Sequence, residues 1–446
     1  MELVIALTAL LLTVLLLKRQ LPPVAVLFFV GSSMILIASF LDAPLIDWPV
    51  QTILTAKRVA DIFAKTNQNV GLMIMVIGGF IAYSKHIGAS EALVKHAISP
   101  IKFLKKTPHL AAALIVPLGQ LLFICIPSAA GLGMLLMMTI FPILLSLGVS
   151  RATAVSVLAL TTAIGVGPAS ALSASAAHIL EMPVVTYFTQ YQWILFWTTS
   201  LFMMLIFYFT SKYFDGKEAV TELNVVTESD GIHAPKIYAV LPVLPLALLI
   251  LFSGLIPSIP TIKQLNTTTA LLLGFAIAVV FEFIRYQSLK KVLGTFSVFW
   301  TGMSNIFKNV VILIIAAETF ANGLIALGFI NDVVSLSAYF NAKTVGLLLS
   351  ILIFSTSILM GSGNAAFFAF GPLIPNIAQK LGINAPILLV QMNFSANLGR
   401  TISPISGILI ALSEISGVNV NQIVKRNFIP IVLSLIFMLI VSSIVL

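Results

Sequence analysis

Arg400 sits in the stretch SANLGRTISPISG (395–407), in a part of the chain that is otherwise almost pure hydrocarbon. A guanidinium at mid-membrane costs about 3 kcal/mol on insertion scales, so a chain that keeps one has a use or a partner for it. Its planar fork matches a carboxylate, which makes an organic anion the ligand this residue would select. The same stretch interrupts its own helix. Gly399 weakens it, and Ser403-Pro404 has the form of an N-cap followed by proline at the first position of a new helix. A second interruption stands earlier, in TTAIGVGPAS, at Gly165, Gly167 and Pro168. Backbone groups freed at membrane depth are tolerated only inside protein or against a wet cavity, where helix N-termini favour anions and free carbonyls favour cations.

Two polar tips, PSAAG (127–131) and GSGNA (361–365), lie between apolar arms that turn back on themselves. Ser128 in the first, and Ser362 or Asn364 beside Gly363 in the second, can cap the arm that follows and aim its N-terminus at the same cavity. One glycine or proline in a membrane helix is ordinarily a kink or a close packing contact. Two breaks at related positions, each downstream of a polar tip, point instead to a binding site. Glu318, in AAETFANG, is the one carboxylate well inside an apolar run; it reads either as a proton-coupling group or as half of an interhelical pair. His178 reads as interfacial, near the end of its span.

Several chemistries are missing. No G-x-x-x-x-G-K-[ST] loop exists, so ATP is not bound by that route. No His/Glu cluster has metal-ligand spacing, and no Ser/His/Asp set lies on adjacent spans. The single cysteine, Cys125, excludes a disulfide framework and reads as a small core residue. No organic cofactor is expected, and no metal other than sodium. A membrane enzyme or a channel remains as the alternative from another class.

The elements that must position these residues follow from composition. Hydrophobic residues make up 59% of 446 positions and charged residues 9%, far from the surface a soluble protein of this size needs. Apolar runs near 20 residues recur throughout without the period-two alternation of barrel strands, so the chain is read as an all-α polytopic membrane protein in contact with lipid on all sides. The first run (3–17) lacks a basic leader and a small-residue cleavage site and is read as a span. Amphipathic segments at 41–70, 85–107, 285–308 and 330–343 are expected at the interface.

The chain divides into residues 1–214, a polar cytoplasmic linker at 215–236, and residues 237–446. Each half contains a hairpin (about 108–147 and 344–381) and a broken helix (152–180 and 385–412). Asn69-Val70 and Gly88 recur at Asn309-Val310 and Gly328 with an offset of 240; Ser128, Gly148 and Gly165 recur at Ser362, Gly382 and Gly399 with an offset of 234. With the N-terminus outside, most of the 24 basic residues fall in inside loops, among them Lys102, Lys105, Lys106, Lys290 and Lys291, and the two halves run in opposite directions. That placement, rather than nucleic-acid binding, explains the net charge of +9. Inverted repeats of this kind serve transporters, because exchanging the conformations of two related halves exchanges inward and outward access. Arg400 belongs to neither set of loops. GRTISP also carries two residues more than GVGP between the matched glycine and proline, so one half alone supplies the charge.

The tips PSAAG and GSGNAA, with the breaks TTAIGVGPAS and NFSANLGRTISPISG, resemble the anaerobic four-carbon dicarboxylate carriers of the DcuC type, within the wider superfamily of dicarboxylate and citrate transporters. The resemblance covers essentially the whole chain. It implies an elevator-type secondary transporter in a bacterial cytoplasmic membrane, a homodimer, moving succinate, fumarate, malate or a related acid; citrate, a short-chain carboxylate or an amino-acid derivative are the alternatives. By position it implies a first half-site at Ser128, Thr161, Thr162 and Gly165 and a second at Ser362, Asn364, Ser395, Asn397 and Gly399, with Arg400, Thr401 and Ser403 facing the carboxylates. Sodium-coupled relatives carry Ser-Asn-Thr at both tips, whereas the first tip here is Ser128-Ala129-Ala130. The coupling ion is therefore left open among sodium, a proton and plain exchange.

Overall fold

The computed structural model describes residues 21–42, 48–98, 107–216, 234–252, 265–328 and 342–446, with Ile262 and scattered positions among the first nineteen. Part of the expected first span, residues 217–233 of the expected linker and residues 330–341 of the amphipathic segment 330–343 lie outside the described residues. Among those described there is no strand. Among the described residues seven helices are long and apolar enough to cross a membrane, and an eighth is added if one bent pair counts as a span. The protein is a multi-pass helical membrane protein.

In the first half, α1 (Pro23–Asp42) precedes α2 (Trp48–Thr66), which runs through a π turn (Asn67–Gly71) into α3 (Leu72–His86); α4 (Ala89–Ile98) follows at a 75° bend. The first hairpin is α5 (Pro108–Cys125) with α6 (Ala129–Thr139) and α7 (Phe141–Ser146). Then come α8 (Arg151–Leu160), α9 (Ala171–Ile179), the single turn α10 (Val184–Tyr187) and, through a π turn at Phe188–Gln192, α11 (Trp193–Asp215). In the second half, α12 (Leu244–Leu251), α13 (Thr267–Tyr286), α14 (Leu289–Gly294) and α15 (Phe296–Ile306) lead through a π turn (Phe307–Val311) into α16 (Ile312–Ala326). The second hairpin is α17 (Ala342–Met360), α18 (Gly363–Phe370) and α19 (Ile374–Leu381), followed by α20 (Ala385–Thr401), α21 (Gly407–Ser416) and α22 (Val420–Val445).

The matched residues fall on matched geometry. The π turns at Asn67–Gly71 and Phe307–Val311 stand 240 residues apart, and each opens a helix of 15 residues, α3 and α16. Past the ends of those helices, Gly88 and Gly328 both take positive φ, at 76° and 69°. Gly148 and Gly382, 234 apart, do the same at 87° and 64° before α8 and α20 begin. Only glycine reaches that region without steric cost, which is why these positions were visible in the sequence.

Two groups of helices result. In the first, α1 packs on α16 and α3 on α15. Backbones approach closely there: a Cβ on Gly31 would lie 2.6 Å from Phe320 Cα, and one on Gly302 would lie 2.7 Å from Gly78 O. Small residues at crossings are the means by which membrane helices gain packing without a hydrophobic drive between them. In the second group, α17 packs on α20 and α11 on α22, and each half reaches into the other: α21 lies on α6, and α9 on α18.

At one end of that second group a polar node ties α8, α11 and α22 together. Asp215 accepts hydrogen bonds from Ser150 Oγ (2.7 Å), Thr153 Oγ1 (2.7 Å) and Arg426 Nη1 (2.8 Å). Arg426 lies within α22 and is only 3% exposed. A buried carboxylate stripped of its cation is costly, about 3 kcal/mol or more, whereas removing both charges costs less. Thermal unfolding in detergent should therefore show a large drop in Tm for Arg426→Ala and a smaller one for Arg426→Met combined with Asp215→Leu.

Candidate functional site: a cavity where two tips and two breaks meet

Each broken helix parts where its sequence cannot continue a helix. After α8 the chain passes through Thr161–Ser170 in turns, with Gly167 at φ 104° and Pro168 following, before α9 resumes. After α20 the interruption is shorter, Ile402–Ser406. Here the expected N-cap at Ser403-Pro404 is corrected: the new helix starts at Gly407, with Ser406 in the N-cap position. Ser403 sits in two successive turns, Ser403 N–H to Arg400 O and Ser406 N–H to Ser403 O, and its hydroxyl donates to Ile358 O at 2.6 Å. That bond turns the Ser403 hydroxyl toward the neighbouring arm, and α21 begins at Gly407 without a side-chain cap.

The tips follow the sequence reading closely. Ser128 Oγ accepts from Gly131 N–H at 3.1 Å and Ser362 Oγ from Ala365 N–H at 3.2 Å, so α6 and α18 are capped in the same manner. Tip and break of each half touch. A Cβ on Gly361 would lie 2.8 Å from Ile405 O, and one on Gly167 would lie 2.7 Å from Ile124 Cγ2.

Between these four elements lies a cavity of about 290 Å³, open at one side and lined by both tips and both breaks. Four helix N-termini reach it: α6 through Ala129 and Ala130, α18 through Ser362 and Asn364, α9 through Ser170 and Ala171, and α21 through Ser406 and Gly407. Neither Ser170 nor Ser406 caps its helix with its side chain, so the first N–H groups of α9 and α21 are left without that partner. Each N-terminus carries roughly half a positive charge.

Arg400 supplies the full charge. Its guanidinium lines the cavity and crosses between the halves, donating to Thr162 O at 2.5 Å. Among the described residues it has no carboxylate within ion-pair distance. The position that matches Arg400 in the first half is Val166, which is buried. Asn397, one turn before Arg400, donates to Asn393 O at 2.9 Å and reaches Gly165 O at 3.5 Å. Asn364 also lines the cavity, and no hydrogen bond joins its amide to another described residue.

The remaining expected site residues stand around the cavity in a different way. The hydroxyls of Thr161, Thr162, Ser395 and Thr401 are buried and donate to Leu158 O, Ala159 O, Gln391 O and Asn397 O, each within its own helix or turn. Thr162 meets Arg400 through its carbonyl. Gly363 and Gly399 are packed against backbone: a Cβ would lie 2.7 Å from Ala396 O and 2.4 Å from Phe354 O, respectively. Glu318 is not brought to this cavity; it lines a second one of about 550 Å³ together with His178. Ser170 and Ser406, missed in the sequence, follow the pattern of a serine just before a small residue and an apolar run.

The fold and the cavity together define an integral membrane protein that presents a positive, ligand-sized hollow among its broken helices. A family model described as C4-dicarboxylate anaerobic carrier, DcuC, matches residues 49–446. The chain is 32% identical over 377 residues to the anaerobic C4-dicarboxylate transporter DcuC of Escherichia coli K12, covering 84% of this chain and 80% of that one. It is 33% identical over 374 residues to the probable anaerobic C4-dicarboxylate transporter DcuC of Vibrio cholerae, covering 83% and 80%. A putative uncharacterized transporter of Haemophilus influenzae is 27% identical over 225 residues, covering 49% and 75%. The chain belongs to the DcuC family of C4-dicarboxylate carriers, a family of transporters and not of enzymes.

The contact between Gly165 and Asn397 offers a test of the cavity that leaves charge untouched. A Cβ on Gly165 would lie 2.6 Å from Asn397 Oδ1, so Gly165→Ala must displace that amide. Ligand-induced thermal stabilisation by succinate should fall for Gly165→Ala, while its unliganded Tm stays within a few degrees of wild type. Gly399→Ala, aimed at Phe354 O, should instead lower the unliganded Tm.

Proposed function

We propose that the chain is a secondary carrier of C4 dicarboxylates, such as succinate, fumarate and malate, across the bacterial cytoplasmic membrane. One observation carries the reading: Arg400, which has no ion-pair partner among the described residues, lines a cavity built by both tips and both breaks. An unpaired cation among helix N-termini selects an anion. The hollow stands at the small end of ligand pockets, about 300 Å³ upward, which favours a short acid over citrate. The Escherichia coli and Vibrio cholerae relatives are named as C4-dicarboxylate transporters, in agreement with this reading.

In this reading one carboxylate takes the free N–H groups of Arg400, and the other takes helix N-termini and the amide of Asn364. Asn397 and Gly165 position the first break beneath the ligand. Thr161, Thr162, Ser395, Thr401 and Ser403 shape the site by fixing the arms that end in it. The two halves form inverted repeats, supported by the paired π turns, turn glycines and capped tips, with the N-terminus outside. Transport is an elevator motion. The tips and broken helices slide with the ligand against a wall made by α1, α3, α13 and α16, and the protein works as a homodimer.

Uptake of labelled succinate into proteoliposomes preloaded with fumarate tests the reading. Wild type should show saturable counterflow, which a channel or an enzyme would not. Arg400→Ala should lose about a hundredfold, the cost of a charge-assisted hydrogen-bonded pair, and Arg400→Lys should recover a part of it. Wild-type exchange rates from a monodisperse Arg400→Ala protein would remove Arg400 from the site.

A further inference from the structure

The second cavity has a composition the first lacks. It holds about 550 Å³ and is lined by Arg58, Asp61 and Lys65 from α2, His178 from α9, and Glu318 and Asn322 from α16. Two of these residues, Glu318 and His178, carry side chains able to bind a proton and belong to different groups of helices. Glu318 stands on α16, which packs on α1. His178 stands on α9, whose first residue, Ala171, lines the central cavity. At about 1.5 Å per residue, His178 lies roughly 10 Å along the arm from the ligand's hollow.

Glu318 is half-buried within an apolar run and, among the described residues, has no cation within ion-pair distance. An ionised carboxylate facing an open, water-sized space keeps its solvation. Once the space closes it does not, and an unpaired charge stripped of water costs several kcal/mol. Any motion that draws α9 along α16 therefore requires Glu318 to be neutralised.

We infer that His178 and Glu318 form the coupling-proton site of this carrier. The inference rests on the carrier reading above. With the second cavity hydrated, His178 takes a proton from water on that side. As the arm moves, the imidazolium and the Glu318 carboxylate pair, so the cavity closes over a neutral couple. The proton stays on His178, travels with the arm and its dicarboxylate, and is released to water on the far side once Glu318 is left behind. One proton is taken up and one is given off, with no other co-reactant.

The other charged groups present leave this assignment to the pair. Arg58 donates to Ser39 Oγ at 3.3 Å, and Asp61, like Lys65, is exposed. Glu181, beyond the end of α9, is exposed as well. The helices α18 and α20, which pack on α9, bring no charged group to this cavity; Arg400 faces the central one. α1 contributes Ile35.

Proteoliposomes with a trapped pH dye, in sodium-free buffer, separate this inference from the carrier reading. Wild type should acidify the lumen as succinate enters, and should also exchange succinate for fumarate. Glu318→Gln should keep exchange and lose acidification at least tenfold, since a neutral wall closes without a proton. His178→Gln should lose acidification and slow exchange about tenfold, because Glu318 is then unpaired on closing; adding Glu318→Gln should restore exchange without acidification. Asp61→Asn should acidify like wild type. Wild-type exchange without acidification, acidification by Glu318→Gln, or failure of the double variant to exchange faster than His178→Gln would each overturn the proton site while leaving the carrier standing. Absence of exchange in wild type would remove both.

Discussion

The hydrogen bond from Arg400, in the last turn of α20, to the carbonyl of Thr162, in the first break, joins the two halves. In a bilayer a free carbonyl at a helix break must find a donor, and a guanidinium must find an acceptor or an anion. Here each answers part of the other's need. The carbonyl takes one N–H of a residue that also lines the cavity. Arginine can do this because its five donors are fixed in a plane; the ammonium of lysine has no such division of labour. The breaks, the tips and the close helix crossings are arrangements that make this one contact tolerable.

Those arrangements repeat. α3 and α16 leave π turns of the same length and end at glycines of positive φ; α6 and α18 are capped by serines 234 residues apart. Each half therefore builds the same scaffold for a capped tip and a broken arm. The halves interlock so that each tip's second arm rests on the other half's broken helix. A duplicated scaffold of this kind places helix N-termini around a common point at no cost in buried charge, since dipoles of the backbone are present in any helix. Only the charge itself is unshared: Val166 is buried where Arg400's counterpart would be.

The features legible in the sequence were those that constrain a backbone. Gly88, Gly148, Gly328 and Gly382 were visible because a positive φ excludes most other residues, and Ser128 and Ser362 because a capping serine precedes an apolar run. Arg400 was visible because a membrane span has so few charges. Hydroxyl roles were not legible. Thr161, Thr162, Ser395, Thr401 and Ser403 read alike as polar groups near a break, yet which carbonyl each one meets depends on a rotamer and a neighbouring helix. The second helix start moved from Ser403 to Ser406 for the same reason: a tertiary contact to Ile358 outweighed a local capping pattern. Nor did sequence distance reveal that His178 and Glu318, 140 positions apart, border one cavity.

A dianion suits this electrostatic design better than a monoanion does. Four N-termini at roughly half a charge each amount to about two positive charges, spread around the hollow rather than gathered at one point. Arg400 adds a third at one end. A ligand with a single carboxylate would satisfy the guanidinium and leave the opposite N-termini facing hydrocarbon or water. A short acid with a carboxylate at each end can meet both, and its length is what the distance between the Arg400 side and the opposite tip must match. Among the described residues that line the hollow there is no carboxylate, and Glu318 lines the second cavity instead.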